Sequence, residues 1–243
     1  MATIVTAFMT NVNNVEFRSC EKYIEYGKKL LSQSIPTVCF LEQKIYDDYF
    51  QSCSQDYPNT YFIMFERNDI YLYDFEDQLS KYFVHTDNPQ KDTPGYMFVQ
   101  CHKTEWVKQA IHVNPFHTTN FVWIDFGIFH MIKNEMEFAL NINTLCTKTY
   151  DQIRIASCRN LDDFCENDIF RVISWYFAGS IFGGSSTILL EFASIMKKKC
   201  IELIKRNKHI MWEINIWYIL YKQHPELFSP YHANHDLSIL GNY

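Results

Sequence analysis

The most constraining stretch of this chain is Phe121-Val-Trp-Ile124, four apolar residues that run directly into Asp125 and, two residues later, Gly127. An apolar run without polar alternation predicts a strand buried on both faces, the usual state of a central strand in a sheet covered by helices. In open α/β sheets ligands bind outside the carboxyl ends of the strands, so an acid at that point stands where chemistry is done. A plainer role is equally open to Asp125, that of capping the helical turn at 128–131.

The segments around this run share its rhythm. Residues 3–8, 37–41 and 60–65 are short β-prone runs, and the stretch 15–31 between the first two carries Phe17, Cys20, Ile24, Leu30 and Leu31 at helical spacing. Strand, helix, strand, short helix, strand is the signature of a parallel sheet with right-handed crossovers. Helices are predicted over 96–113, 135–146, 187–206 and 209–221, and further strands over 152–157 and 168–177. Residues 178–186, which hold Gly179, Gly183 and Gly184, read as backbone that must bend sharply or lie close against something, and not as a Walker loop or a dinucleotide fingerprint. Ser185 or Ser186 is placed to cap the helix that follows.

Length and composition narrow the class. With 243 residues, 47% hydrophobic and 17% aromatic, the chain fits one folded domain over 1–243 with a full core. A net charge of −6 gives no general pull toward phosphate backbones, so nucleic acid is not expected as a partner. Neither a secretory signal nor an apolar run of membrane-spanning length is present in the sequence, and the expectation is a soluble, cytoplasmic protein without a transmembrane segment. Eight cysteines form no Cys-x-x-Cys pair and lie mostly in apolar segments, which suits reduced thiols. Cys158 and Cys165 have the wrong spacing for a zinc knuckle.

Two further places hold chemistry. Glu213 sits among Trp212, Ile214 and Ile216, where a carboxylate needs either a raised pKa or a specific partner. Its bland alternative is an acid favoured by the start of a helix. The tail 229–236 concentrates His232, His235 and Asp236, which are surface polar residues by default and metal ligands in the sharper case. Lys103 and Lys108 lie off most of the apolar face of their helix and read as ordinary solvated lysines.

The run Thr3-Ile-Val-Thr-Ala-Phe8, the block Val122-Trp-Ile-Asp-Phe-Gly-Ile128, the segment Phe182-Gly-Gly184 and the late Trp212-Glu-Ile-Asn215 followed by a His-Asp pair resemble the HtrL/YibB-type family, which is related to glycosyltransferases of the GT-A fold. More distantly, residues 177–185 resemble the Phe-Gly-Gly turn of blood-group-type retaining galactosyl and N-acetylgalactosaminyl transferases. The resemblance implies a single-domain GT-A-like α/β/α sandwich with a mostly parallel central sheet. It implies an enzyme, a glycosyltransferase of hexosyltransferase type, moving a sugar from a nucleotide-diphospho-sugar donor to a hydroxyl of a glycan or another acceptor.

The site residues follow from the same resemblance. Asp125 stands at the first acid of an Asp-x-Asp motif, with Gly127 in place of the second. Asp125 and a late histidine, His235, are the implied ligands of a divalent metal, Mn²⁺ or Mg²⁺, with His232 and Asp236 behind them. Thr6, Ala7 and Phe8 are placed to meet the nucleotide base and ribose, Lys103 the phosphates, and Gly183 and Gly184 the sugar. Glu213 matches the acid that faces the anomeric carbon in retaining relatives, and an inverting enzyme would use it as base. The alternative from another class is a catalytically silent GT-A-like domain that binds a sugar nucleotide or a partner protein. A nucleotidyltransferase would want a glycine-rich, basic loop after the first strand, and residues 8–14 hold neither glycine nor lysine.

Overall fold

The computed structural model describes residues 1–12, 19–79, 86, 88–162, 169 and 172–243. Among them seven strands form one sheet: β1 (Thr3–Phe8), β2 (Thr37–Glu42), β3 (Thr60–Phe65), β4 (Asn120–Ile124), β5 (Ile153–Ser157), β6 (Phe177–Ser185) and β7 (Phe228–His232). Their order is β3-β2-β1-β4-β6-β5-β7. β1 pairs parallel with β2 and β4, β2 with β3, and β5 with β7, while β6 runs antiparallel between β4 and β5. The sheet is thus mostly parallel, and β4, the apolar run that ends at Asp125, lies at its centre.

Helices cover both faces, which is why the central strands have no polar side. Val5, Phe40, Phe121, Trp123 and Phe182 point to one layer, formed by α3 (Pro94–Val113), α5 (Ser186–Asn207) and α6 (Glu213–Gln223). On the other face Ile4, Val122 and Ile124 pack under α4 (Glu135–Leu145) and α7 (Ser238–Gly241), and Cys39 and Leu41 under α1 (Cys20–Leu31) and α2 (Gln43–Tyr49). The alternation of neighbours such as Val122 and Trp123 between the two layers is the two-residue period of a strand. The Trp106 ring of α3 stacks on Trp123 at 5.9 Å and 8°, which fixes the helix over the strand.

Local chemistry sets the helix ends. The Ser19 hydroxyl accepts from the Lys22 amide at the start of α1, and Thr93 does the same for Tyr96 at α3, with Pro94 in the first turn where its missing N–H costs nothing. Ser185 precedes α5 as expected, without a side-chain hydrogen bond.

Several sequence expectations need correction. Of the two readings of residues 178–186, the close approach holds and the sharp bend does not: 178–185 lie in β6 and Ser186 opens α5, with Gly183 opposite Val122 and Gly184 opposite Phe121. The glycine is there for close approach, since a Cβ on Gly183 would lie 2.2 Å from the Tyr243 hydroxyl and 2.7 Å from the Phe121 carbonyl. The strand expected over 168–177 overlaps β6 only at Phe177. Residues 172–176 are irregular, and 163–168, 170 and 171 lie outside the described residues, as do Phe17 and Cys165. In the tail Phe228–His232 adds an edge strand that the sequence reading did not include, the position in a sheet where Pro230 is tolerated. The helix expected from 209 begins at Glu213.

Candidate active site

A cavity of about 340 Å³ opens at the carboxyl ends of β1 and β4, lined among others by Ala7, Phe8, Lys103, Asp125, Glu213 and His235. Its floor is an ammonium held by three acceptors. Lys103, on α3, has a side chain only 3% exposed, and its Nζ lies 2.9 Å from Glu213 Oε1, 3.0 Å from Asp125 Oδ1 and 2.9 Å from the Gly179 carbonyl. Lysine has three donors, so this head group is fully satisfied. Burial disfavours its charge, but the Asp125 and Glu213 carboxylates outweigh burial and hold its pKa above the ordinary lysine value.

Each member is placed by a different element. Asp125 follows the last residue of β4, and its Oδ1 also accepts from the Trp123 indole at 2.7 Å. Two residues apart on a strand, Trp123 and Asp125 share a face, and that spacing was the available signal for the contact. The helical turn at Ile128–His130 is joined to Asp125 by its backbone carbonyl, so the side chain is left to Lys103 and Trp123 and does not cap the turn. Glu213 is the first residue of α6 and is 1% exposed. Gly179, on β6, leaves it room: a Cβ there would sit 2.2 Å from Glu213 Oε1. The glycine-rich run did point to the site, but through Gly179 rather than the residues singled out in it.

Most of the sequence-derived site converges here. Asp125, Glu213, Lys103, His235, Ala7 and Phe8 all line the cavity. Thr6 is completely buried beneath it and is not among the lining residues, and its hydroxyl has no partner among the described residues. Gly183 and Gly184 lie farther along β6, outside the lining. Lys103 is not the solvated lysine its spacing suggested. His232 and Asp236 stay outside; both are exposed, and Asp236 binds the Ser238 amide and hydroxyl. Lys108 is likewise a surface residue, 3.6 Å from Glu105.

Several lining residues went unread in the sequence: Tyr23, Lys91, His130, Trp175 and Trp212. Phe8 stacks between Tyr23 and Phe126, at 5.7 and 5.1 Å. The loop after β1 is pinned by Glu42, whose Oε2 accepts from both the amide and the hydroxyl of Thr10 at 2.7 Å.

The absent second acid has a packing cause. A Cβ on Gly127 would fall 2.4 Å from the Tyr23 ring, so the ring occupies the space a second carboxylate would need. Among the described residues no three His, Cys, Asp or Glu side chains form a metal cage. Asp125 Oδ2, in contrast to Oδ1, has no hydrogen-bond partner among the described residues, and His235 lines the same cavity. Burial lowers the His235 pKa, reinforced by His130 and opposed by Asp125, so the ring is neutral and able to ligate at pH 7. These two side chains fit a hard divalent ion whose remaining ligands are phosphate oxygens and water.

The fold and cavity define a mixed α/β protein with a mostly parallel seven-stranded sheet and a cavity at the carboxyl ends of its central strands. The family model described as "bacterial protein of unknown function (HtrL_YibB)" matches residues 1–236, and the chain belongs to that family. No curated protein sequence matches it. Among solved structures it is similar to apo mouse xyloside xylosyltransferase 1, with 10% identity over 95% of this chain and 84% of the other at a TM-score of 0.44. It is also similar to the 4-diphosphocytidyl-2C-methyl-D-erythritol synthase of Anaerococcus prevotii, with 10% identity over 98% of this chain and 88% of the other at a TM-score of 0.46. Likenesses this distant carry no conclusion about activity. No helix of the described residues is long and apolar enough to cross a membrane.

Proposed function

We propose that this protein is a glycosyltransferase that takes a sugar from a nucleotide-diphospho-sugar and moves it to an acceptor hydroxyl. The observation that carries the proposal is the convergence of Asp125 and Glu213, from distant parts of the chain, on one buried ammonium in the floor of one cavity. A structural ion pair has no need of a cavity above it. A cleft with charged groups of perturbed environment is the usual form of an active site.

In this scheme the nucleotide lies over the end of β1, against Ala7 and Phe8, with the Phe8 and Tyr23 rings beside the base. The diphosphate faces Asp125. Asp125 Oδ2 and His235 are the groups that would hold a divalent ion, which when bound would neutralise charge on the leaving diphosphate as a Lewis acid. Lys103 acts through space, because its three donors are engaged; it holds Asp125 and Glu213 at fixed positions. Glu213 Oε1 is fixed by Lys103, and Oε2 is buried without a partner among the described residues. That oxygen is the one available to the sugar: as nucleophile or stabiliser of an oxocarbenium-like centre in a retaining reaction, or as base toward the acceptor in an inverting one.

The test is thermal unfolding of the purified protein with nucleotide-diphospho-sugars, each with Mn²⁺, Mg²⁺ or chelator. A ligand that binds only the folded state raises the midpoint by mass action. A shift for one donor that disappears with chelator and in Asp125→Ala supports the metal-assisted transferase. No shift for any donor would leave the silent, partner-binding domain in its place.

A further inference from the structure

Besides the Phe8–Tyr23–Phe126 stack, the cavity has a second aromatic wall. Trp212 meets Tyr96 at 5.4 Å and Trp175 at 5.7 Å, and Trp175 meets the edge of His235 at 5.5 Å. All four residues line the cavity, and Trp212 immediately precedes Glu213. Trp175 is only half-buried and holds φ of 52°, the left-handed region that a bulky side chain avoids. Such conformations persist where the surrounding structure needs the side chain in one place.

Polar groups of three lining residues lack partners. The Trp212 Nε1–H donor, the Ser180 hydroxyl and Glu213 Oε2 are each enclosed without a hydrogen bond among the described residues. Buried polar atoms in native proteins are almost always satisfied, so these three are groups that a ligand's polar atoms, or water, would satisfy once the side chains turn toward the cavity. A flat ring with apolar C–H faces and hydroxyls around its rim satisfies both sets at once. An acyl chain has apolar faces but no hydroxyls for the three polar atoms, and a serine or threonine side chain offers one hydroxyl and no ring.

We infer that the Trp175–Trp212–Tyr96 wall is the acceptor subsite and that the acceptor is a carbohydrate, one of whose pyranose rings stacks on Trp175. The inference rests on the transferase proposed above and specifies its acceptor class. The donor keeps the β1 side of the cavity, and the acceptor ring lies on the α6 side, next to Glu213.

The experiment measures binding of two sets of probes to the same protein: methyl pyranosides and a printed glycan array for the wall, and nucleoside diphosphates with their sugar conjugates for the donor side. Trp175→Gly removes the ring while suiting the left-handed backbone, so the variant keeps its fold. Trp175→Phe keeps an aromatic face. Expected is glycoside binding that perturbs the Trp175 indole resonance, falls by at least about tenfold in Trp175→Gly, and is largely kept in Trp175→Phe. Nucleotide affinity stays the same in all three proteins. Nucleotide binding with no glycoside response, or nucleotide affinity lost in Trp175→Gly, would overturn the acceptor subsite and leave the transferase standing. Glycoside binding at Trp175 with no nucleotide binding would keep the sugar platform and overturn the transferase; silence from both sets overturns both.

Discussion

Lys103→Met removes the one cation that, among the described residues, touches both Asp125 and Glu213, and the size of the effect follows from what remains. Glu213 keeps a carboxylate that is 2% exposed with no ion-pair partner among the described residues, whereas Asp125, 29% exposed, retains Trp123 and water. Breaking a buried pair by removing one partner costs about 3–5 kcal/mol, because the remaining charge stays desolvated. The wild-type ammonium, its pKa raised in the fold, contributes stability that is fully present below the ordinary lysine value and is lost only as pH rises through the folded value. Urea unfolding at pH 8 therefore reads the full cost. A cost of about 3–5 kcal/mol, largely removed in Lys103→Met with Glu213→Gln, is expected. A cost under about 1 kcal/mol, or one undiminished in the double variant, would refute the reasoning, since an exposed pair is worth no more than about 1 kcal/mol.

The remaining predictions separate site from scaffold. Gly179→Ala places a methyl 2.2 Å from Glu213 Oε1, so donor turnover falls by at least about tenfold, checked by product release. Gly183→Ala instead meets the Phe121 carbonyl and the Tyr243 hydroxyl; it costs about 1–3 kcal/mol in unfolding experiments while the folded fraction keeps its ligand affinity. His102 is buried between Tyr71 and Trp106 with both ring nitrogens unpaired among the described residues, and burial pulls its pKa down to about 3. A depressed histidine loses stability as pH falls from the ordinary value toward the folded one. The advantage of His102→Phe over wild type in urea therefore widens by about 2 kcal/mol between pH 7 and pH 5; a constant gap contradicts a neutral buried ring.

The sequence was most legible where one physical rule decided the outcome. The apolar runs of β1, β2 and β4 read as buried strands because both sheet faces are covered there, whereas β3, at the edge, leaves Tyr61 and Met64 exposed; α5 was marked by its three- and four-residue spacing. β6 was missed because three glycines in six residues look like a turn until Tyr243 and Glu213, from the far end of the chain, show what needs the space. Lys103 was misread for a related reason. Its helix is buried on both sides of the usual apolar stripe, with His102, Lys103, Thr104 and Glu105 all inside, so helical periodicity carries no information there. Asp125, Glu213 and His235 were named from residue types and resemblance, while the meeting of Asp125 and Glu213 at Lys103 is a tertiary fact. The aromatic wall lacked any local signal, since Trp175 lies in an irregular segment and Tyr96, Trp212 and His235 reach it from three other places.

The central claim is that Glu213, held by Lys103 beside Asp125, does chemistry on a bound donor. The most direct test incubates the protein with the nucleotide-diphospho-sugar that stabilises it and follows release of nucleoside diphosphate by mass spectrometry, for wild type and Glu213→Gln. The account predicts release by wild type and a loss of at least about a hundredfold in the variant, with donor affinity retained. A donor that binds tightly but is never cleaved by the wild type, or is cleaved equally well by Glu213→Gln, would contradict it.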